Sequence, residues 1–330
     1  MDLKKLNKIL IIRLSSLGDI LLTTPVIRAI KKANSEIQID FLSKPAFKDV
    51  IRYNQKLKNK FILDTENASN ELIENLQREK YDLIIDLQNN IRSREITRKL
   101  NVEISRFKKP NIKKFLLVNL KWNTYKNIQS VVEFYASTIP GLELDKEGLE
   151  FYSEKGKVSN IETNEKIIGI CPGSRHFTKM WPREYFIELG SKLLKHKYKI
   201  KVLGGSADKE ICKEIADQIP GAINQCSDDE LFETADNMSE CKFVVCNDSG
   251  LMHLASAIRV PLFAIFGSTV KEFGFYPYNC EHFVFDNSLV KCRPCSHIGR
   301  SSCPKKHFNC MLNIKPDLII DKILQMDNNE

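Results

Sequence analysis

Hydrophobic positions along the chain fall into short continuous runs that alternate with stretches of helical spacing. Lys8-Ile-Leu-Ile-Ile-Arg13 reads as a parallel strand covered on both faces. From Asp19 onward, Ile20, Leu21, Val26, Ile27 and Ile30 recur at helical spacing. Runs at Ile37–Leu42, Tyr81–Leu87 and Val102–Phe107 predict further strands, with a helix over Glu71–Glu79. Around Phe151–Asn164 the chain turns polar and loses periodicity, which predicts a linker. The alternation then restarts. Strands are expected at Lys166–Cys171, Lys199–Leu203, Lys242–Cys246 and Pro261–Phe266, and helices at Arg183–Lys195, Lys209–Gln218 and Gly250–Ile258.

Strands alternating with helices in both halves predict an α/β chain of two open parallel sheets, each flanked by helices. A length of 330 residues suits two domains, expected at 1–155 and 156–330. Ligands of such sheets bind beyond the carboxyl ends of the strands, so two facing sheets would place a site in the cleft between them.

No run approaches the ~20 apolar residues of a membrane helix. The run Ile9–Ile12 stops at Arg13, short of the roughly 7–15 residues of a signal peptide. A cytoplasmic location is therefore expected. Lys and Arg number 50 against 42 Asp and Glu, a net +8. That excess suits a partner carrying phosphate or carboxylate but is too small to specify nucleic acid. It is concentrated: from Arg92 to Lys126, eleven basic residues stand against Glu95 and Glu103. Such a run is either a solvated basic face or a patch for an anionic acceptor or a membrane surface.

Three strand-to-helix turns carry the candidate chemistry. In Arg13-Leu-Ser-Ser-Leu-Gly-Asp19 the small residues Ser16 and Gly18 let backbone N–H groups converge on an anion. Asp19 at the helix start is either a base kept ionised by the helix dipole or, like Ser16, a cap. The second turn, Cys171-Pro-Gly-Ser174 through Thr178-Lys-Met-Trp-Pro182, offers Ser174, Thr178 and Lys179 as donors to phosphate oxygens. The third, Asn247-Asp-Ser-Gly-Leu-Met-His253, opens a helix with Asp248 and Ser249, which are also good caps. Neither the G-x-G-x-x-G dinucleotide fingerprint nor a P-loop Gly-Lys-Ser/Thr ending occurs in these turns. Together they describe a site for a phosphate-bearing sugar or nucleotide. A nucleic-acid-binding module with a metal site would leave the three turns unexplained.

The ten cysteines divide into scattered thiols in apolar runs and a cluster in segment 292–310. Cys292-x-x-Cys295, Cys303 and Cys310 fit a structural tetrahedral zinc or iron site. The other reading is a set of reduced thiols in a stiff loop.

The ordered turns, with Asp86-Leu-Gln-Asn-Asn-Ile-Arg-Ser93 and Gly267-Ser-Thr269, resemble glycosyltransferase family 9, the bacterial heptosyltransferases of lipopolysaccharide core synthesis. The resemblance implies a GT-B architecture: two Rossmann-like doubly wound domains, the second holding most of the donor. It implies an inverting transfer of heptose from ADP-heptose to a lipid A–Kdo or heptosyl acceptor, without a catalytic metal. Asp19 would be the base, with Ser16, Gly18 and Arg92 on the acceptor side. Ser174, Thr178 and Lys179 would meet the donor diphosphate, and Asp248, Ser249, Gly250, Leu251 and His253 the sugar and phosphate. The family's acidic residue after the Gly-Gly strand end falls near Ala207, leaving Asp208 or Glu210 to replace it. Related readings are a different nucleotide sugar or a protein acceptor. Peripheral contact with the inner membrane face is expected, and nucleic acid is not.

Overall fold

Strand β1 (Lys8–Ile12) runs through the middle of a five-stranded parallel sheet in the computed structural model. The structure describes residues 2–64, 68–161, 165–226, 228 and 231–328. The partners of β1 are β2 (Gln38–Ser43), β3 (Lys60–Ile62), β4 (Leu83–Asp86) and β5 (Ile104–Arg106), in the order β3-β2-β1-β4-β5. Ile12 pairs with Leu42 on one side and Asp86 on the other. Ile9 through Ile12 have no solvent exposure, because helices cover both faces of a parallel sheet. The order reverses at β1 and β4, so the crevice beyond their carboxyl ends is the ligand position of this sheet.

The helical spacing after Asp19 resolves into two helices, Leu17–Leu21 and Thr24–Ala33. Pro25 lies in the first turn of the second. Its missing N–H is harmless there but would break a continuous helix. The predicted linker contains a hairpin of β6 (Tyr152–Ser153) and β7 (Gly156–Lys157). Its residues 162–164 lie outside those described.

The second sheet comprises β8 (Ile167–Cys171), β9 (Lys199–Gly204), β10 (Ile223–Cys226), β11 (Phe243–Asn247), β12 (Leu262–Phe266) and β13 (His282–Asp286). Its order is β10-β9-β8-β11-β12-β13, all parallel. Here the reversal lies between β8 and β11. Every residue of β8, β11 and β12 is buried. Trp181, Phe186 and Leu189 from the helix side and Phe243 and Phe263 from the strands fill one continuous core with Ile319 and Ile323 of the C-terminal helix Pro316–Asp327.

The chain divides into two compact units, Met1–Lys109 with Gln129–Lys157, and Pro110–Ile128 with Val158–Glu330. Residues 110–128 thus leave the first unit and join the second. They contain a helix, Asn111–Leu120, that the basic run conceals in the sequence. Among the described residues, no helix is long and apolar enough to cross a membrane.

Candidate active site

In the first unit, the turn after β1 is built around one carboxylate. Asp19 Oδ1 lies 2.6 Å from Arg13 Nη2 and accepts the Tyr135 hydroxyl at 3.2 Å. Asp19 Oδ2 accepts the Ser16 N–H at 3.1 Å and the Ser16 hydroxyl at 2.8 Å. Ser16 is therefore both helix cap and partner of Asp19. Burial pushes the Asp19 carboxyl up, but the Arg13 charge and the hydrogen bonds from Ser16 and Arg13 outweigh it. The net result holds Asp19 below the usual carboxylate range. Its side chain keeps 16% exposure, so the ionised group remains reachable.

Arg13 is fixed in turn. Its Nη1 donates to the Leu87 carbonyl at 2.7 Å and its guanidinium lies 5.5 Å from the Tyr135 ring centre. At the end of β4, Asp86 accepts the N–H groups of Gln88 and Asn89 and the Ser93 hydroxyl. Gln88 Oε1 then accepts the Leu14 N–H at 2.9 Å, tying the β4 turn to the β1 turn. Gly18 lies in the helical turn that presents Asp19, its carbonyl accepting the Leu22 N–H. Arg92 stands half-buried in the first turn of the helix Ile91–Leu100. Two further residues join the group: Tyr135, not singled out in the sequence, and Lys109, expected there only as part of the basic run. Tyr135 arrives on the helix Val131–Ala136. Lys109 donates to the Asn89 carbonyl at 3.0 Å, and burial followed by the Arg13 charge lowers its pKa.

In the second unit, the turns after β8 and β11 meet. Lys179 Nζ lies 2.8 Å from Asp248 Oδ2, which also accepts the Thr269 hydroxyl at 2.6 Å. Ser174 donates its hydroxyl to the Asp248 carbonyl at 3.2 Å. Asn247 joins the same turns, accepting the Trp181 N–H and donating to the Pro172 carbonyl. Thr178 is fully buried: its hydroxyl accepts from Ser268 and from the Arg300 N–H, which makes it a clamp under the loop. Ser249 stands at the N-cap position of the helix Gly250–Ile258, with no side-chain cap hydrogen bond, and a helix N-terminus after a parallel strand is of the kind that binds anions. Gly250 and Leu251 are half-buried in its first turn and His253 is buried on the same helix, its ring 6.4 Å from that of Phe275.

Asp208 rather than Glu210 enters this neighbourhood. Its Oδ2 accepts the Gly205 N–H at 3.2 Å, and a Cβ added at Gly173 would come within 2.1 Å of Oδ1. Glu210 is exposed in the first turn of the helix Lys209–Gln218. Burial, only partly countered by the Gly205 N–H, raises the Asp208 carboxyl.

The zinc or iron site expected at Cys292, Cys295, Cys303 and Cys310 is overturned. Among the described residues, no group of three or more His, Cys, Asp or Glu side chains stands ready to hold a metal ion. All ten cysteines are free thiols. Cys310 is buried in the core beside Met311, where burial pushes its thiol up to about 11. Cys292 is engaged with His307 Nε2 at 3.6 Å. The spacing brought the thiols into one segment, where Cys292 meets His307 and Cys310 packs into the core.

The sequence model of glycosyltransferase family 9 (heptosyltransferase) matches residues 70–306. The chain belongs to this family. Lipooligosaccharide heptosyltransferase 2 of Haemophilus influenzae is 26% identical over 96% of this chain and 99% of its own length. The Campylobacter jejuni protein of the same name (serotype O:6) is 28% identical over 50% of this chain and 53% of its own, so that match spans about half of the relative. The solved E. coli ADP-heptose lipopolysaccharide heptosyltransferase II superposes with a TM-score of 0.72 at 20% identity, covering 97% of this chain and 99% of that one. An E. coli heptosyltransferase solved with ADP gives 0.70 at 18% identity, covering 96% and 99%. These likenesses establish two doubly wound parallel sheets of the GT-B kind as the family 9 fold of this chain.

Proposed function

We propose that the chain is an inverting glycosyltransferase that moves a heptose from ADP-heptose to a lipopolysaccharide-core acceptor, without a catalytic metal. Family membership and the named activities of its relatives support the donor and the acceptor class. The observation that carries the chemistry is Asp19, ionised and partly exposed beyond the carboxyl end of β1.

The acceptor hydroxyl attacks the anomeric carbon as its bond to the ADP oxygen breaks. A single displacement inverts that centre. The attacking oxygen becomes strongly acidic as its new bond forms, so a carboxylate of low pKa suffices to take the proton late in the step. Help of this kind is worth roughly 10²–10⁴-fold. Departing ADP gains negative charge. Lys179, the Ser174 hydroxyl and the N-terminal N–H groups of the helix Gly250–Ile258 supply fixed positive potential for it. Arg92 and Lys109 offer positive charge to an anionic acceptor. The protein would work in the cytoplasm, in peripheral contact with the inner membrane face, where such an acceptor is anchored.

The test is to offer the purified protein ADP-heptose, ADP-glucose and UDP-sugars with heptose-free and with singly heptosylated core oligosaccharide, following nucleotide release and product mass. Heptosylated product from ADP-heptose is expected. Turnover with a different sugar nucleotide, or with a protein acceptor only, would overturn the assignment.

A further inference from the structure

Helix Asn111–Leu120 turns its apolar side away from the protein. Ile112, Phe115 and Leu120 are 77%, 60% and 62% exposed, and Trp122, just past the helix end, is 62% exposed. Leu117 is the buried residue of the helix. Positions 112, 115, 116 and 120 share one helix face. This is the stripe that a globular helix ordinarily buries.

The support beneath the helix is the Cys-rich segment. Lys121 Nζ donates to the Pro294 carbonyl at 2.6 Å. The Lys114 ammonium lies 6.0 Å from the Phe273 ring centre on the second unit. Burial and then the Lys114 charge lower the His297 pKa. The same segment reaches the donor loop: the Arg300 N–H donates to Thr178, and the Phe177 and Phe308 rings stack with centres 4.8 Å apart. The Cys-rich segment thus seats the exposed helix on one side and braces the Phe177–Lys179 turn on the other.

Charge indicates what covers the face. No acidic residue occurs between Glu103 and Glu133, and none between Asp286 and Asp317. On the second unit, the first stretch contributes Lys113, Lys114, Lys121 and Lys126, and the second adds five basic residues from Lys291 to Lys306. Glu272 meets this region beyond Trp122, where it accepts from Asn123. Large exposed apolar side chains set among lysines are the composition of a helix lying in a lipid interface, and basic residues there are drawn to anionic headgroups.

We propose that helix Asn111–Leu120 and Trp122, seated on the Cys-rich segment, dock on the surface of an anionic phospholipid bilayer. Ile112, Phe115, Leu120 and Trp122 enter the boundary between headgroups and acyl chains, and Lys113 and Lys126 meet the lipid phosphates. This assigns the membrane contact of the preceding reading to named residues, and it is measured without any sugar transfer.

The full chain is mixed with phosphatidylcholine vesicles made with or without one-third phosphatidylglycerol, and binding is followed by co-sedimentation. Tight, salt-sensitive binding to the anionic vesicles alone is expected. Ile112→Ser, Phe115→Ser and Trp122→Ser combined should weaken it at least ~10-fold, since more than one large apolar group is lost. Lys113→Gln with Lys126→Gln should flatten its salt dependence. Trp122 is one of two tryptophans and Trp181 is 1% exposed, so emission should shift to the blue on anionic vesicles and stay fixed in Trp122→Phe. Unchanged binding by the triple variant, or no shift in the wild-type chain, would overturn the proposal. So would a concentration-dependent dimer that the triple variant abolishes while vesicle binding persists, since a second copy would then cover the face. Transfer to water-soluble core oligosaccharide should be unaffected by the triple variant, which separates failure of the docking face from failure of the enzymatic reading.

Discussion

Arg13 and Asp19 form an ion pair at 2.6 Å within a single strand-to-helix turn, with Tyr135 donating to the same carboxylate oxygen. Two of the three groups are thus six residues apart, and the third comes from a distant helix. A pair this close keeps Asp19 ionised, the only form that accepts a proton. Asp19→Asn preserves the shape of the turn and removes the basic oxygen. Transfer should fall ~10²–10⁴-fold, while ADP affinity, measured by calorimetry, stays as in the wild type. Near-normal turnover would remove Asp19 from the mechanism.

In the proposed mechanism, Arg13 sets the pH range over which Asp19 serves as base. Burial alone would raise the Asp19 pKa; the Arg13 charge and the Ser16 hydrogen bonds reverse the effect. In Arg13→Gln the charge is gone and the burial remains, so the carboxyl rises. The acid limb of the kcat profile, where Asp19 becomes protonated, should move to higher pH. Arg13→Lys should restore part of the shift, and Tyr135→Phe, which removes one hydrogen bond, should move the limb the same way by less. A limb identical in all three variants would show that Asp19 protonation does not govern the rate.

The central strands are legible in the sequence because a strand covered on both faces must be apolar throughout. Ile9–Ile12 and Phe243–Cys246 show this directly. The edge strands β3 and β10 are half-buried or exposed, so their residues carry no such run. Helix Asn111–Leu120 escapes for the opposite reason: Ile112, Phe115 and Leu120 are exposed among lysines, and the stretch reads as a charge run. At the site, the residues within each turn are readable locally. Tyr135 and Lys109 are not, because only folding brings them to Asp19 and Arg13. The cysteine spacing mimics a ligand set, yet the burial of Cys310 is a tertiary fact that spacing does not contain.

Gly173 leaves room for Asp208 at the end of β8. A methyl group at Gly173 would collide with the Asp208 carboxylate at 2.1 Å, and the Gly205 N–H bond to the same side chain resists its retreat. Gly173→Ala should cost about 1–3 kcal/mol in denaturant unfolding, the usual range for overpacking, and weaken ADP binding. Asp208→Ala in the same chain should recover most of the stability. If the double variant is as unstable as the sum of its parts, the two positions do not interact.

Lys179 and Asp248 pose a different kind of test, since the proposal offers one to the donor while the other holds it by an ion pair. Lys179→Met leaves the Asp248 carboxylate, 5% exposed, with the Thr269 hydroxyl but without its counter-charge. An unsatisfied buried group costs about 1–3 kcal/mol, so both the melting temperature and ADP affinity should drop. Asp248→Asn keeps the hydrogen bond to Thr269 and frees the ammonium, so ADP affinity should fall less than in Lys179→Met. Equal losses of affinity in the two variants would mean that Lys179 acts through Asp248 and not on the diphosphate.

Asp327 at the end of the last helix clamps that helix to the second sheet. Its Oδ2 accepts Lys166 Nζ and its Oδ1 Lys242 Nζ, each at 2.5 Å, from the residues just before β8 and β11. Burial pushes the carboxyl up, but the hydrogen bonds from Lys166, Lys242 and Tyr198 prevail and lower it to about 2. In the unfolded chain an Asp titrates near ~3.9. The folded form therefore binds the proton less well, and the clamp contributes its full stability above that value. The contribution declines as pH falls from about 4 to about 2 and is gone below. Asp327→Asn should lower the melting temperature at pH 7 and narrow its difference from the wild type across that window. A constant difference from pH 7 to pH 2 would mean that the carboxylate charge is not what holds the helix.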